Sequence, residues 1–323
     1  MDPSTLDCHF APVFTSQQKF KNPQTPSQPA GFHALPPDWV VEFETIPLAN
    51  AHLFAHLFRG PKPELQHKAI VLLHGQGEHS GRYLHVPHYL GDVVGSVYAI
   101  DHRGHGQSSG NRGHIAQFDD YANDAALAVK RYSRYLTKRY GKAEIHLICH
   151  SMGGLVGLRM LQLHPELQIA SVTMSAPMIE LAFKVPKIKH LAAILMNKVL
   201  PSLSIPGEPL AELVSRDPNV VKHYRADRYN HGLASPAFYL SYLAVREKLL
   251  AAARDFRHPL LFLIPTADKI IDPKASFEFY DKVFAPEKKL IRYENYYHEI
   301  MNEPGKDQVF ADIKEWIKAH SAG

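Results

Sequence analysis

Apolar positions along the chain change their spacing several times, and each change marks an element. Residues 1 to about 37 hold no sustained period and carry scattered prolines among Gln, Ser and Thr, as in KNPQTPSQPAGFHALPP, which reads as an arm outside the packed fold. From Trp39 onward DWVVEFETI and AHLFAHLFRG read as two strands joined by a polar turn at PLAN, an opening hairpin. KAIVLLHG is a buried strand ending in a glycine-bearing loop, SVYAIDHRGHG repeats that design, and RYLHVPHYL between them reads as a short helix. DDYANDAALAVKRYSRYLTKRYG has helical spacing, acids at its start, bases toward its end and Gly141 as a stop. Strand EIHLIC, helix MGGLVGLRMLQLHP and strand IASVTMSAP follow.

That rhythm stops at Met178. As far as Phe256 the sequence reads as helical with no convincing strand, and alternation resumes with strand PLLFLIPTAD, helix PKASFEFYDKVF, strand KKLIRYEN and helix GKDQVFADIKEWIKAH. Alternating strands and helices predict an α/β fold with a mainly parallel sheet, helices on both faces and right-handed crossovers. The expected division is an N-terminal arm over residues 1–37, a first core part over 38–177, an inserted helical cap over 178–256 and a second core part over 257–323. No internal repeat is present.

Composition narrows the function classes. With 323 residues, 45% hydrophobic, 21% charged and a formal net charge of +4, the chain is an ordinary globular protein, and no basic tract points to nucleic acid. Two cysteines, Cys8 and Cys149, offer neither a disulfide framework nor a thiolate metal site, which suits a reducing compartment. MDPSTLDCHFAPVF lacks a basic n-region and an apolar h-region, and no stretch reaches the roughly 18 apolar residues of a spanning helix. The expectation is a cytoplasmic chain that is not integral to a membrane.

Chemistry concentrates at IHLICHSMGG, where an apolar strand breaks into small and polar residues around Ser151. In an open parallel sheet, ligands bind at the carboxyl ends of strands, and a sharp strand-to-helix turn there lifts a serine hydroxyl above the sheet. Such a turn tolerates only small neighbours, and Gly153 and Gly154 meet that need; the first position of the Gly-x-Ser-x-Gly pattern is Cys149, itself small. A serine that only caps the helix from Met152 is the plainer alternative.

A serine nucleophile needs a base and an orienting acid, which this architecture supplies downstream in the order acid, then histidine. Asp268 directly follows one apolar strand and His298 lies just past the next, so His298 is the candidate general base and Asp268 its orienting partner. Asp272, ahead of Pro273, reads better as a helix cap; Asp101 precedes the serine; His150 adjoins it and should point elsewhere. An oxyanion needs preorganised donors, for which the amide of Met152 and, in the loop His74-Gly75-Gln76-Gly77, that of Gln76 are the candidates. Metal binding by His74 and His79 lacks a fitting third ligand, and no metal or cofactor is expected.

Together HGQGEHSGRY, DHRGHGQSSGNRGHI with FDDYANDA, CHSMGG, TADKIID and YYHEIMNE, and VLPSLSIP and SRDPNVVKHY within the insertion, resemble the monoacylglycerol lipase and lysophospholipase branch of the α/β-hydrolase superfamily, from about Val40 to the C-terminal helix. The resemblance implies Ser151 as nucleophile, Asp268 and His298 as its partners, Gln76 and Met152 as the oxyanion hole, and structural roles for Asp101, His102 and His105. The chain departs from the pattern at Cys149 and at RADRYNHG, where relatives tend to carry Asp-Pro. The implied function is hydrolysis of a single-chain lipid ester, a monoacylglycerol or a lysophospholipid, through an acyl-enzyme. The alternatives are a hydrolase of short or other small esters and a non-catalytic lipid-binding homologue. In VPKIKHLAAILMNKVLPSL, Ile188, Leu191, Ile194, Leu195 and Val199 recur at near-helical spacing among Lys184, Lys187, Lys189 and Lys198. Two readings stand open for it: peripheral contact with a membrane surface, or a lid whose apolar face packs on the core.

Overall fold

The structure is a computed structural model that describes residues 14–16, 35–254 and 256–322. Within the arm, β1 (Thr15–Ser16) pairs antiparallel with β2 (Val40–Leu48), placing Thr15 opposite Phe43. Phe14 sets its ring edge-on against Tyr98, Tyr132 and Tyr135 at centroid distances of 6.5, 6.2 and 5.0 Å. The rest of the expected arm, apart from residues 35–37, lies outside the described residues. β2 turns into β3 (Ala51–Arg59), the second arm of the opening hairpin. Then come β4 (Lys68–Leu73), α1 (Val86–Leu90), β5 (Ser96–Ile100), α2 (Asp119–Tyr140), β6 (Glu144–His150), α3 (Met152–Leu163) and β7 (Ser171–Ser175). Helix α2 shows why these signals work: Asp119 and Asp120 sit in its first turn, Lys138 and Arg139 in its last, and Gly141 ends it at φ 81°, donating to Thr137 O.

Between the last strand of the first half and the sheet's final strands lie α4 (Lys187–Val199), β8 (Ile205–Pro206), α5 (Pro218–Ala226), β9 (Leu233–Ala234) and α6 (Pro236–Ala251). The two short strands pair with each other, a departure from the expected all-helical segment; two-residue strands carry no period from which they could be read. The chain re-enters the sheet as β10 (Leu260–Pro265), followed by α7 (Pro273–Lys282), β11 (Lys288–Tyr293) and α8 (Lys306–Ala319).

The nine strands run in the order β1-β2-β3-β5-β4-β6-β7-β10-β11, with every neighbouring pair from β5 to β11 parallel. Successive residues of each buried strand face opposite layers: Val71 and Leu73 pack with α2 and α3, Ile70 and Leu72 with α1 and α8. Because β5 lies on one side of β4 and β6 on the other, strand order reverses at β4. The loops leaving the carboxyl ends of β4 and β6 therefore diverge and open a crevice. Among the described residues no helix is long and apolar enough to cross a membrane.

Among the described residues Phe14 meets the fold through its half-buried ring, which the Arg59 guanidinium also approaches to 5.7 Å, beside the short pairing of β1. Phe14→Ala should cost about 1 kcal/mol, near 2 °C in a thermal melt, and leave ester hydrolysis unchanged; loss of activity in a folded variant would tie the arm to the site.

Candidate active site

β6 delivers the chain to Ser151 at φ 52° and ψ −117°, outside the regions open to ordinary L-residues. Such a conformation costs roughly 1–3 kcal/mol and persists only where its surroundings impose it. Here Ser151 N donates to Ser175 O at 3.0 Å, while Ser151 O accepts from Gly154 N and Met178 N, each at 2.9 Å. The glycines are required by contact: a Cβ on Gly153 would lie 2.2 Å from Leu73 O, and one on Gly154 2.7 Å from Pro177 Cβ. The Ser151 hydroxyl makes no capping hydrogen bond, so α3 does not use it as an N-cap. Cys149 fits because Gly157 gives its sulfur room; a Cβ there would approach Sγ to 2.7 Å. Burial pushes the Cys149 thiol pKa up, leaving it an inert packing group.

The structure brings His298 and Asp268 together as the sequence suggests. His298 Nδ1 donates to Asp268 Oδ2 at 2.7 Å, and Asp268 Oδ1 accepts from the amides of Ile270 and Ile271 at 2.8 and 3.0 Å. Both carboxylate oxygens are thereby engaged, and His298 Nε2 is left for a reacting proton. Burial opposes protonation of His298, yet the touching Asp268 carboxylate, reinforced by Glu299 and Glu78, outweighs it and raises the pKa. Asp272 is a helix cap, accepting from Lys274 N. Asp101 is buried and fully spent on Ser80 and the Gln107 amide. His150 differs from expectation: its ring packs 4.8 Å from that of His298, with Nδ1 bonded to Ser175 Oγ. Burial, then His298 itself, lowers its pKa to about 3, so it stands beside the base as a neutral ring.

Gly75 packs against the serine so closely that a Cβ there would lie 3.0 Å from Ser151 Cβ. His74 Nε2 accepts from His102 N at 3.0 Å, which leaves Nδ1–H to donate to Gly75 O at 2.8 Å. In a planar trans peptide the N–H points opposite to the C=O, so fixing Gly75 O aims the Gln76 amide the other way. The carbonyl of Ser151, held by Gly154 and Met178, fixes the Met152 amide by the same logic. Among the described residues neither amide finds an acceptor. Two aimed, unspent donors beside a serine are what a developing oxyanion needs.

Sequence reasoning missed the contacts that hold this loop. Gln76 Oε1 accepts from His105 Nε2 and its Nε2 donates to Leu233 O, both at 3.1 Å. Gly77 O accepts from His231 N at 2.8 Å, and His79 Nε2 donates to Asp227 Oδ2 at 2.8 Å. The segment that departs from the family pattern thus clasps the loop, largely through main-chain groups that leave no trace in residue types. A buried ionic cluster of Glu78, Arg82 and Glu299 also sits behind the loop and was not foreseen.

Residues 65–305 match the family described as serine aminopeptidase, S33. An abhydrolase domain-containing protein of Dictyostelium discoideum is 34% identical over 77% of this chain, which spans 26% of that relative's length. The monoacylglycerol lipase of Mycolicibacterium smegmatis is 31% identical over 78% of this chain and 88% of its own. Among solved structures, Paleococcus ferrophilus monoacylglycerol lipase is similar with a TM-score of 0.71 and 30% identity, over 83% of this chain and 99% of that one.

Ser151→Ala should lower ester hydrolysis by about 10⁴-fold or more, because the members of such a triad act as a unit; near-full activity would remove Ser151 as nucleophile. Asp272→Ala should cost about 1 kcal/mol of stability with little change in rate. Since only neutral His298 can accept a proton and its pKa is raised, kcat/KM should fall on acidification with a midpoint above the ordinary 6.5 of histidine. Asp268→Asn should shift that midpoint down and cut kcat by about 10⁴-fold; an unmoved midpoint would detach Asp268 from the base.

Proposed function

The chain belongs to the serine aminopeptidase S33 family of α/β-hydrolases, and on that premise we propose that it hydrolyses the ester bond of monoacylglycerols, with Ser151 as nucleophile. The observation that carries this reading is Ser151 at positive φ, uncapped, between two unspent amides. In the reaction His298 Nε2 takes the Ser151 proton as Oγ attacks the ester carbonyl. Charge moving onto the carbonyl oxygen is received by the amides of Gln76 and Met152. His298 then returns the proton to the leaving glycerol oxygen, and water, activated by the same imidazole, releases the fatty acid from the acyl-enzyme. Asp268 holds the tautomer and stabilises the imidazolium throughout. An intact acid–base pair, with the basicity of its histidine raised by the touching carboxylate, favours catalysis over a pocket that merely holds a lipid.

Charge around the site favours a neutral head group over a phosphorylated one. Asp268, Glu78 and Glu299 surround the base, and Arg82, the cation packed among them, already faces two of these carboxylates. A phosphate would meet net negative potential there.

The exposed helix α4 supplies the route for a lipid to arrive. None of its residues is buried, and Ile188, Leu191, Leu195 and Val199 are 78, 57, 56 and 75% exposed, with Leu200, Leu203 and Ile205 extending the apolar strip. Exposure on this scale favours an interfacial surface over a lid packed on its own core. Lys184, Lys187, Lys189 and Lys198 lie beside it and suit a peripheral, anionic membrane contact.

Wild-type protein should release fatty acid faster from a long-chain monoacylglycerol than from lysophosphatidylcholine, with Ser151→Ala as the blank. Faster release from lysophosphatidylcholine would reverse the head-group assignment. A Leu191→Ser/Leu195→Ser variant should bind anionic vesicles more weakly and hydrolyse vesicle-borne monoacylglycerol more slowly while keeping its rate on a soluble short ester; unchanged vesicle binding would reject the interfacial role of α4.

A further inference from the structure

Behind the oxyanion loop lies a charged cluster that the chemistry above does not use. Arg82, in the 3₁₀ turn Ser80–Tyr83, is buried together with both of its carboxylate partners. Its Nη1 donates to Glu78 Oε2 at 2.6 Å and to Glu299 Oε1 at 2.7 Å, and Nη2 donates to Glu299 Oε2 at 2.7 Å. Each carboxylate reaches onward to a different part of the site. Glu78 Oε1 accepts from Gly75 N at 2.6 Å and from Tyr83 Oη at 2.7 Å, and so holds the residue that packs on Ser151 and precedes Gln76. Glu299 follows His298 directly; its amide donates to Val214 O at 2.7 Å and its Oε2 also accepts from Asn302 Nδ2 at 2.8 Å. The guanidinium rests 4.9 Å over the Tyr224 ring of α5.

We propose that Arg82 is a positioning residue for the reaction: by gripping Glu78 and Glu299 at once it keeps the oxyanion loop and the loop bearing the general base in register with Ser151. This rests on the reading of Ser151 and His298 as nucleophile and base. Stability alone is a poor reason for the cluster, because buried ion pairs repay their desolvation incompletely and apolar groups often replace them without loss. What an apolar cluster cannot do is fix two loops by direction, and a planar fork of donors does that where a lysine ammonium cannot. The cluster also sets two carboxyl groups against one guanidinium: burial raises the Glu78 pKa, whereas Arg82 outweighs burial at Glu299 and keeps it ionised beside His298. The other groups facing that ring are Asp268, which is paired with it, and His150, which is neutral. Glu299 and Glu78 accordingly help Asp268 to raise the His298 pKa against burial.

The test uses Arg82→Lys and Glu299→Gln in the full chain, with thermal melts to fix an assay temperature at which both are folded. Two substrates are compared, a long-chain monoacylglycerol and p-nitrophenyl butyrate, which has no glycerol head group. Arg82→Lys should lower kcat by about 10- to 100-fold on both while KM stays within about threefold. Glu299→Gln should move the acid limb of kcat/KM to lower pH. Unchanged kcat in folded Arg82→Lys, or a loss confined to monoacylglycerol, would overturn the proposal, the latter by making Arg82 a head-group contact. So would a Glu299→Gln enzyme that is less stable but keeps its acid limb. Should Arg82→Lys fail to fold, the isosteric Glu78→Gln replaces it, with the same loss expected and an unchanged kcat equally fatal. Residual activity in Ser151→Ala would instead condemn the triad reading, so the two failures are distinguishable.

Discussion

A single backbone conformation organises the site. Ser151 is held at φ 52° because β6 must pass into α3 within one residue while Gly153 presses against the carbonyls of Leu73 and His74. No L-residue prefers that geometry, so the surroundings must impose it, and they do so with the chain's own polar groups. Of the hydrogen bonds that hold Ser151, the two from Gly154 and Met178 to its carbonyl also fix the Met152 amide, which has no acceptor among the described residues. The strained residue, the unspent amide and the proposed nucleophile thus belong to one turn.

The sheet supplies the remaining positions. The loop holding Gln76 and the turn holding Ser151 leave the adjacent ends of β4 and β6, where the strand order reverses, and Gly75 packs on Ser151 at the base of the crevice between them. Asp268 and His298 follow the ends of β10 and β11, which lie beyond β7 on the same side of the sheet. Four carboxyl strand ends thus carry the four proposed catalytic groups at one end of the sheet, and the crossovers between those strands are the scaffold that keeps them there. Loops of this kind need bracing, and two braces are visible. His105 and the inserted segment 227–233 hold the Gln76 loop through one set of contacts, while Glu78 and Arg82 hold it through another and reach by way of Glu299 to the loop of His298.

How much of this was legible in the sequence follows from how each feature is encoded. Strands such as KAIVLLHG and helix α2 declare themselves through period, end charges and Gly141, because local physics decides them. The elbow was legible because only small residues fit beside Ser151, and Asp268 and His298 because each follows an apolar strand. The Arg82 cluster was not: Arg82 and Glu299 stand 217 positions apart, and nothing local marks either as half of a pair. The clasp by His231 N and Leu233 O was invisible for another reason, since main-chain groups are the same in every residue. The contact of the His150 ring with His298 was not legible, because the two residues leave different strands and only the folded sheet brings their rings to 4.8 Å. Exposure of α4 also needed the structure, because an amphipathic pattern predicts a face without saying what covers it.

The central claim is that a covalent acyl group passes through Ser151. Its most direct test is to mix the enzyme with a long-chain p-nitrophenyl ester, quench in acid within the first turnover and map the adduct by peptide mass spectrometry. The account predicts one acyl group on the peptide containing Ser151, absent once Ser151 is replaced by alanine. An adduct on another residue, or rapid p-nitrophenol release with no adduct at any quench time, would contradict it.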